Sequence, residues 1–333
     1  MAWSWEFMLQ AFRALGGRAE NIARKEGSGS GLIAVNANKL VRLHAPEHLV
    51  FALADVEFVG HRLRIKDGAS IGKAERTFFA SYYDAFSWGD GGRDEAYAFT
   101  KGVQELPENV RETLVNDFGL DALSGDGEEK AEQWFLLSRR VLWKGRAVLV
   151  PVLDLVAHDS RADPYDETGG IAIVGQFQDE VKVLRSKLGP FGAFWRFGFA
   201  SRERVAFSLP LQAKTDSGWQ VTIGQNINLN STLGSMPVPD YAQDGQSVQF
   251  SCLMIGYAGY PRLSRGIFYR VMRDAGEAKP EQIFDRILHE NRMAYLNLWE
   301  ALEPHEGVLI SSLRKAVRYQ LEAMSWCIGT RDL

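Results

Sequence analysis

Two cysteines, Cys252 and Cys327, are all that the 333 residues contain. That is too few for a disulfide framework or a cysteine-built zinc site, and it points to a reducing, cytoplasmic setting. The six histidines are scattered, with no H-E-x-x-H spacing to suggest a metal site. Neither a G-x-S-x-G elbow nor a Walker loop is present, so the usual nucleophile and phosphate signatures are missing. No apolar run is long enough to cross a bilayer, and the first residues carry no positive segment of the kind that opens a secretion signal. A net charge of −4 argues against a general nucleic-acid-binding surface.

What is present is an ordinary globular composition, 46% apolar and 24% charged, on a chain long enough for one large domain or two moderate ones. The stretch Leu149 to Asp159 reads L-V-P-V-L-D-L-V-A-H-D. Its branched apolar run predicts a strand buried on both faces that ends at the polar pair His158 and Asp159. Pro151 cannot donate to a sheet ladder, so the segment is expected to cross or leave the sheet there. Before it, Trp5 to Leu15 has one apolar helical face ended by Gly16-Gly17. The glycines from Gly27 to Gly31 then separate two short strands, as a hairpin turn or a ligand-approach loop.

Aromatic residues from Phe78 to Phe86 recur at helical spacing, Pro107 opens a helix over Glu108 to Phe118, and another helix is predicted over Glu128 to Trp143. Arg139 and Arg140 fall near the end of that helix, where they favour the dipole or point a guanidinium at a carboxylate ligand. Gly170 to Phe177 and Asp179 to Leu184 read as two strands with a tight connection. Five aromatics and three glycines within Gly189 to Phe199 suggest an apolar pocket wall or an aromatic core corner. Further strands are expected over Val205 to Leu211, Trp219 to Ile223 and Val248 to Met254. Pro280 to Leu302 and Val308 to Ile328 read as two amphipathic helices that pair as a hairpin.

These pieces, in this order, resemble a SET-domain protein of the Rubisco large-subunit methyltransferase-like class. Around Gly17 to Val35 the chain reads G-G-x-x-x-N-I and then G-S-G-L-I-A, similar to the family's G-x-G-L-x-A turn. Trp134 to Ser138-Arg139, followed by L-V-P-V-L-D-L-V-A-H-D, resembles L-x-P-x-x-D-x-x-N-H-S. Asp179-Glu180-Val181, Leu188-Gly189 and Phe197-Gly198-Phe199 resemble the D-E-V, Y-G and Y-G-F series. The order and spacing of the three together carry the resemblance.

The resemblance implies an α+β protein with a SET-like β-rich core, an inserted helical subdomain and a C-terminal helical hairpin lobe. The parts would be 1–71 and 144–260 for the core, 72–143 for the insertion and 261–333 for the lobe. It implies S-adenosylmethionine as cofactor and a protein lysine, or another nitrogen nucleophile on a protein or small molecule, as substrate. Carried over by position, Gly29, Gly31 and Leu32 would lie against the cofactor and Arg139 would face its methionine end. His158 would offer backbone contacts to the adenine, with Ala157 also at the cofactor, Phe199 packing nearby and Phe197 at the catalytic tyrosine position.

The departures are specific. Ala157 stands where the family has asparagine, and Leu188 and Phe197 where it has tyrosine; Phe207 is another place where an aromatic hydroxyl is expected. One lost hydrogen bond to a charged ligand group weakens binding by about 1.5–3 kcal/mol. The same pattern therefore suits two other readings. One is a SET-like protein that has lost methyl transfer and binds or scaffolds. The other is an enzyme using the pocket for a different reaction on S-adenosylmethionine or a small metabolite.

Overall fold

A computed structural model describes residues 3–25, 31–120, 127–215, 217–224, 240–258, 260 and 262–325. The chain is α+β, with helices and short strands in several small sheets and, among the described residues, no barrel. It divides into two compact units, Met1–Lys101 with Gly125–Ser186, and Gly102–Ser124 with Lys187–Leu333.

In the first unit, α1 (Trp5–Ala14) is capped by Ser4, whose Oγ accepts the Phe7 N–H at 3.2 Å. It buries Met8, Leu9 and Phe12, and Gly16 ends it in the left-handed region. Strands β1 (Arg18–Glu20), β2 (Ile22–Arg24), β3 (Leu32–Ala34) and β4 (Val41–Pro46) follow. β2 and β3 form the antiparallel pair expected on either side of the glycine-rich stretch. In β4, Val41, Leu43 and Ala45 are buried while Arg42 and His44 lie on the other face, the period-two pattern of a half-buried strand. β5 (Phe51–Ala52), β6 (Val56–Val59) and β7 (Arg62–Ile65) come next. α2 (Lys73–Phe86) then buries Phe78, Phe79, Tyr82, Tyr83 and Phe86, as the aromatic spacing predicts.

The long helix α3 (Arg93–Gln104) starts in this unit. The unit continues with α5 (Gly127–Arg139), β8 (Val141–Trp143), β9 (Arg146–Leu149), β10 (Ala157–His158), β11 (Gly170–Gly175) and β12 (Lys182–Val183). β4 is the centre of a β1-β4-β11 sheet.

Three expectations are corrected here. The helix predicted to reach Trp143 stops at Arg139, because Val141 to Trp143 pairs with β9 through a two-residue turn, Lys144 (φ 48°) and Gly145 (φ 75°). The run Leu149 to Asp159 is not one strand. It leaves the sheet after Leu149, passes Pro151 and a strained Val152 (φ 74°, ψ −48°), makes a 3₁₀ turn at Leu153–Leu155 and re-enters a sheet only at β10. Val152 lies near the rare γ-turn conformation, which a β-branched residue adopts only when its surroundings hold it there. Of the two strands expected after this run, the first is β11, which pairs with β4, and the second shortens from Asp179–Leu184 to β12, Lys182–Val183, parallel to β10.

In the second unit, α4 (Glu108–Phe118) begins after Pro107 and ends on Gly119 in the left-handed conformation. Gly189 to Phe199 is largely helical, as α6 (Pro190–Phe197), with proline in its first turn and Gly198 as its cap. Strands β13 (Val205–Phe207), β14 (Leu211–Lys214), β15 (Gln220–Ile223), β16 (Tyr241–Asp244), β17 (Ser247–Phe250) and β18 (Met254–Tyr257) follow. Four of them form a sheet in the order β14-β15-β17-β16, while β13 pairs with β18. Helices α7 (Leu263–Ala275), α8 (Pro280–Leu302) and α9 (Val308–Ser325) complete the unit. α8 buries Ile283, Ile287, Tyr295, Leu298 and Leu302 along one stripe and packs against α9.

Candidate functional site

The break at Pro151–Val152 has a chemical result: the 3₁₀ turn carries Asp154 into the interior of the first unit, where it is 0% exposed. A carboxylate there needs donors, and α2 with the residue after it supplies two. Tyr82 Oη donates to Asp154 Oδ1, and Ser87 Oγ donates to Oδ2 at 2.7 Å. The backbone carbonyl of the same residue accepts from Arg139 Nη1 at 3.2 Å and Arg185 Nη1 at 3.4 Å. Arg185 Nη2 donates to the Arg139 carbonyl at 2.7 Å, so the two arginines are fixed relative to each other. Arg139 also reaches Glu95 Oε2 at 3.4 Å, on a largely exposed side chain, and its guanidinium lies 5.7 Å from the centre of the Phe135 ring.

Burial decides the protonation tendencies in this cluster. Desolvation pushes the Asp154 carboxyl up, against the opposing pull of Arg139, of the Tyr82 and Ser87 hydroxyls and of Arg185. The phenols of Tyr82 and Tyr83 are pushed up by burial first and by the Asp154 charge second. Desolvation likewise lowers Arg185. Among the described residues Tyr83 Oη has no hydrogen-bond partner, and it lies within the field of Asp154, Arg139 and Arg185.

Next to this cluster along the chain, β10 brings together several residues singled out in the sequence. Ala157 N–H donates to the Val181 carbonyl at 3.2 Å, and Val181 N–H donates to the Leu32 carbonyl at 2.8 Å. Leu32, Val181 and Ala157 are thus joined edge to edge, although they come from three distant segments. Asp179 is bound in as well, its carbonyl accepting from Ala34 N–H at 2.8 Å. Ala157 and Asp159 direct their N–H groups at the carbonyls of Val181, just before β12, and of Val183 within it, so the alternation of the strand turns the backbone N–H and C=O of His158 to the opposite edge. The His158 ring accepts the Arg185 N–H at Nδ1, 3.2 Å, which links β10 to the buried cluster.

The Gly31 carbonyl accepts the Lys25 N–H at 2.9 Å. A Cβ there would meet Glu180 Oε1 and the Lys25 stem at 3.5 and 3.6 Å, ordinary contacts, so close packing does not demand a glycine. Gly29 lies outside the described residues. The candidate residues Gly31, Leu32, Arg139, Ala157 and His158 belong to the first unit, whereas Phe197 and Phe199 belong to the second. There Phe197, at the end of α6, is 7% exposed and stacks on the more exposed Phe199 with ring centroids 5.9 Å apart.

The donor set suits an adenosine-bearing cofactor in part. A backbone edge such as that of His158 is what an adenine pairs with and a cation such as Arg139 is what an amino-acid carboxylate pairs with, while Ala157 adds only a methyl group. Asp154, Tyr82, Ser87 and Arg185 were not anticipated as a polar cluster. A lone aspartate in an otherwise apolar run was the signal, since a buried carboxylate requires partners. Among the described residues, no group of three or more His, Cys, Asp or Glu side chains is placed to hold a metal ion. No described helix is long and apolar enough to cross a membrane. No protein-family model matches the chain, and no curated protein matches it.

Proposed function

We propose that the protein is an S-adenosylmethionine-dependent methyltransferase with a SET-like core, acting on a protein lysine or a similar nitrogen nucleophile. The observation that carries this reading is the backbone chain Leu32–Val181–Ala157, which joins one residue from each of the three resembling stretches, Gly17 to Val35, Leu149 to Asp159 and Asp179 to Val181. The cofactor would supply an electrophilic methyl group. His158 would hold it through backbone N–H and C=O, and Arg139 through charge. Asp154, Tyr82, Ser87 and Arg185 would keep Arg139 and the β10 edge in place; they are positioning residues in this scheme. Apolar surroundings assist the reaction by favouring the neutral form of an amine nucleophile.

Titrating the purified chain with S-adenosylmethionine by calorimetry tests the proposal. Saturable binding that Arg139→Ala weakens by about tenfold or more is the expected result. No heat at millimolar cofactor would overturn it.

A second reading, a SET-like protein that binds without transferring or that uses the pocket for another reaction, is favoured by Phe197. Its ring meets Phe199 on one side and the Arg196 guanidinium at 5.3 Å, and it offers no oxygen to orient an amine. Cofactor binding without methylated product, from any peptide or amine offered, would select this second reading.

A further inference from the structure

The second unit contains a cavity of about 260 Å³ whose lining, among the described residues, carries no charged side chain. Its floor is formed by buried residues, Phe118, Phe191 and Tyr295 among them, and its rim by half-buried ones that include Leu188, Trp195 and Phe207. We propose that this cavity is a binding site for a small, uncharged, planar nitrogen heteroaromatic molecule. It rests on the second unit alone and is independent of the methyltransferase reading.

Three observations select that class. First, among the described lining residues a bound cation would find no carboxylate to replace its hydration, and a bound anion would find no cation. Tyr295 stays neutral because burial pushes its phenol far up.

Second, the rings meet mostly edge to face, with Phe118 and Phe191 tilted at 39° and 4.8 Å. Phe118 and Tyr295 meet at 5.1 Å and 69°, Phe191 and Tyr295 at 5.3 Å and 81°, and Phe191 and Trp195 at 5.9 Å and 80°. Edge-to-face packing of this kind leaves ring faces and edges that another flat ring continues, whereas a branched aliphatic group does not.

Third, a buried amide faces the cavity under weak restraint. Gln320 is 1% exposed, yet its Oε1 accepts the Phe191 N–H at 3.5 Å and its Nε2 donates to the Phe207 carbonyl at 3.4 Å. Both contacts are at the outer limit of a hydrogen bond. The amide oxygen has a second lone pair, which a ring N–H would fill. Leu188 and Phe207, where the sequence resemblance leads one to expect hydroxyls, keep the entrance apolar.

Indole is the probe. Ligand-observed NMR titration of the full chain, without S-adenosylmethionine, should give saturable indole binding, with benzylamine as a cationic ring of similar size showing none. Leu188→Trp narrows the rim and should weaken indole binding by about tenfold or more with the melting temperature unchanged. Gly192→Leu is the second variant: a Cβ there meets only Leu188, at 3.6 Å, so the substitution is tolerated while its side chain occupies the cavity mouth. Absence of saturable indole binding to wild type would overturn the proposal. Equal binding of benzylamine, or wild-type affinity in both variants, would do the same.

Discussion

Asp154 owes its position to two hydroxyl donors on one side and two guanidinium groups on the other, all within the first unit. Removing its carboxylate leaves Tyr82 and Ser87 without that acceptor and takes a buried negative charge away from the two arginines, of which Arg139 keeps Glu95 at 3.4 Å. Asp154→Ala should therefore cost about 3–5 kcal/mol, as losing one partner of a buried charged cluster does. Asp154→Asn keeps the shape and one acceptor, but its amide donates where a hydroxyl already donates, so one buried donor is left unmatched at about 1–3 kcal/mol. Because burial already disfavours the ionised carboxyl, the asparagine variant should be the more stable of the two. Urea denaturation of both variants checks the order; an alanine variant as stable as the asparagine one would mean that the cluster contributes little. At this scale the sequence was partly legible. Arg139 was marked by its place at a helix end, and Tyr82 and Tyr83 by helical spacing. Arg185 was missed because Leu-Arg-Ser-Lys reads as exposed chain, and only the tertiary fold buries it.

Helices were the most legible elements. Glu108–Phe118 and Pro280–Leu302 were bounded by their prolines, and the bounds agree with the structure. Short strands were less so, because two or three residues carry too little periodicity to distinguish a strand from the end of a helix. The misread boundary at Arg139 is an example: Trp143-Lys144-Gly145-Arg146 is a hairpin signal, but the turn starts with lysine rather than the usual asparagine or aspartate. The backbone of that turn gives a paired prediction. Gly145 sits at φ 75° with open space around a would-be Cβ, so Gly145→Ala should cost about 1–2 kcal/mol from conformation alone. Gly266 lies exposed inside α7, also with open space but with helical backbone, so Gly266→Ala should stabilise by about 1 kcal/mol. Thermal melts of the two variants should move in opposite directions; a shared direction would show that one of these backbone conformations is wrong.

For the molecule as a whole, the groups that titrate above neutrality set opposing slopes in stability against pH. Burial lowers the Lys187 ammonium from 10.5 to about 8. Between these values the unfolded chain holds a proton that the folded chain has released, so stability rises with pH across that window. Below it the desolvation cost of the charged lysine is present in full. Tyr82, Tyr83 and Tyr295 act the other way, since burial pushes each phenol above its ordinary value of 10.0. Above that value the unfolded chain loses protons that the folded chain retains, and stability falls. Wild-type stability should thus climb from about pH 8 towards pH 10 and decline beyond it. Lys187→Met removes the ammonium while keeping a similar stem, so it should gain most near neutrality, lose the climb and keep the decline. Tyr295→Phe should instead soften the decline and leave the climb unchanged. Denaturant titrations of the three proteins at closely spaced pH values give the slopes directly. A Lys187→Met curve parallel to wild type throughout would show that this lysine keeps its ordinary proton affinity in the folded chain.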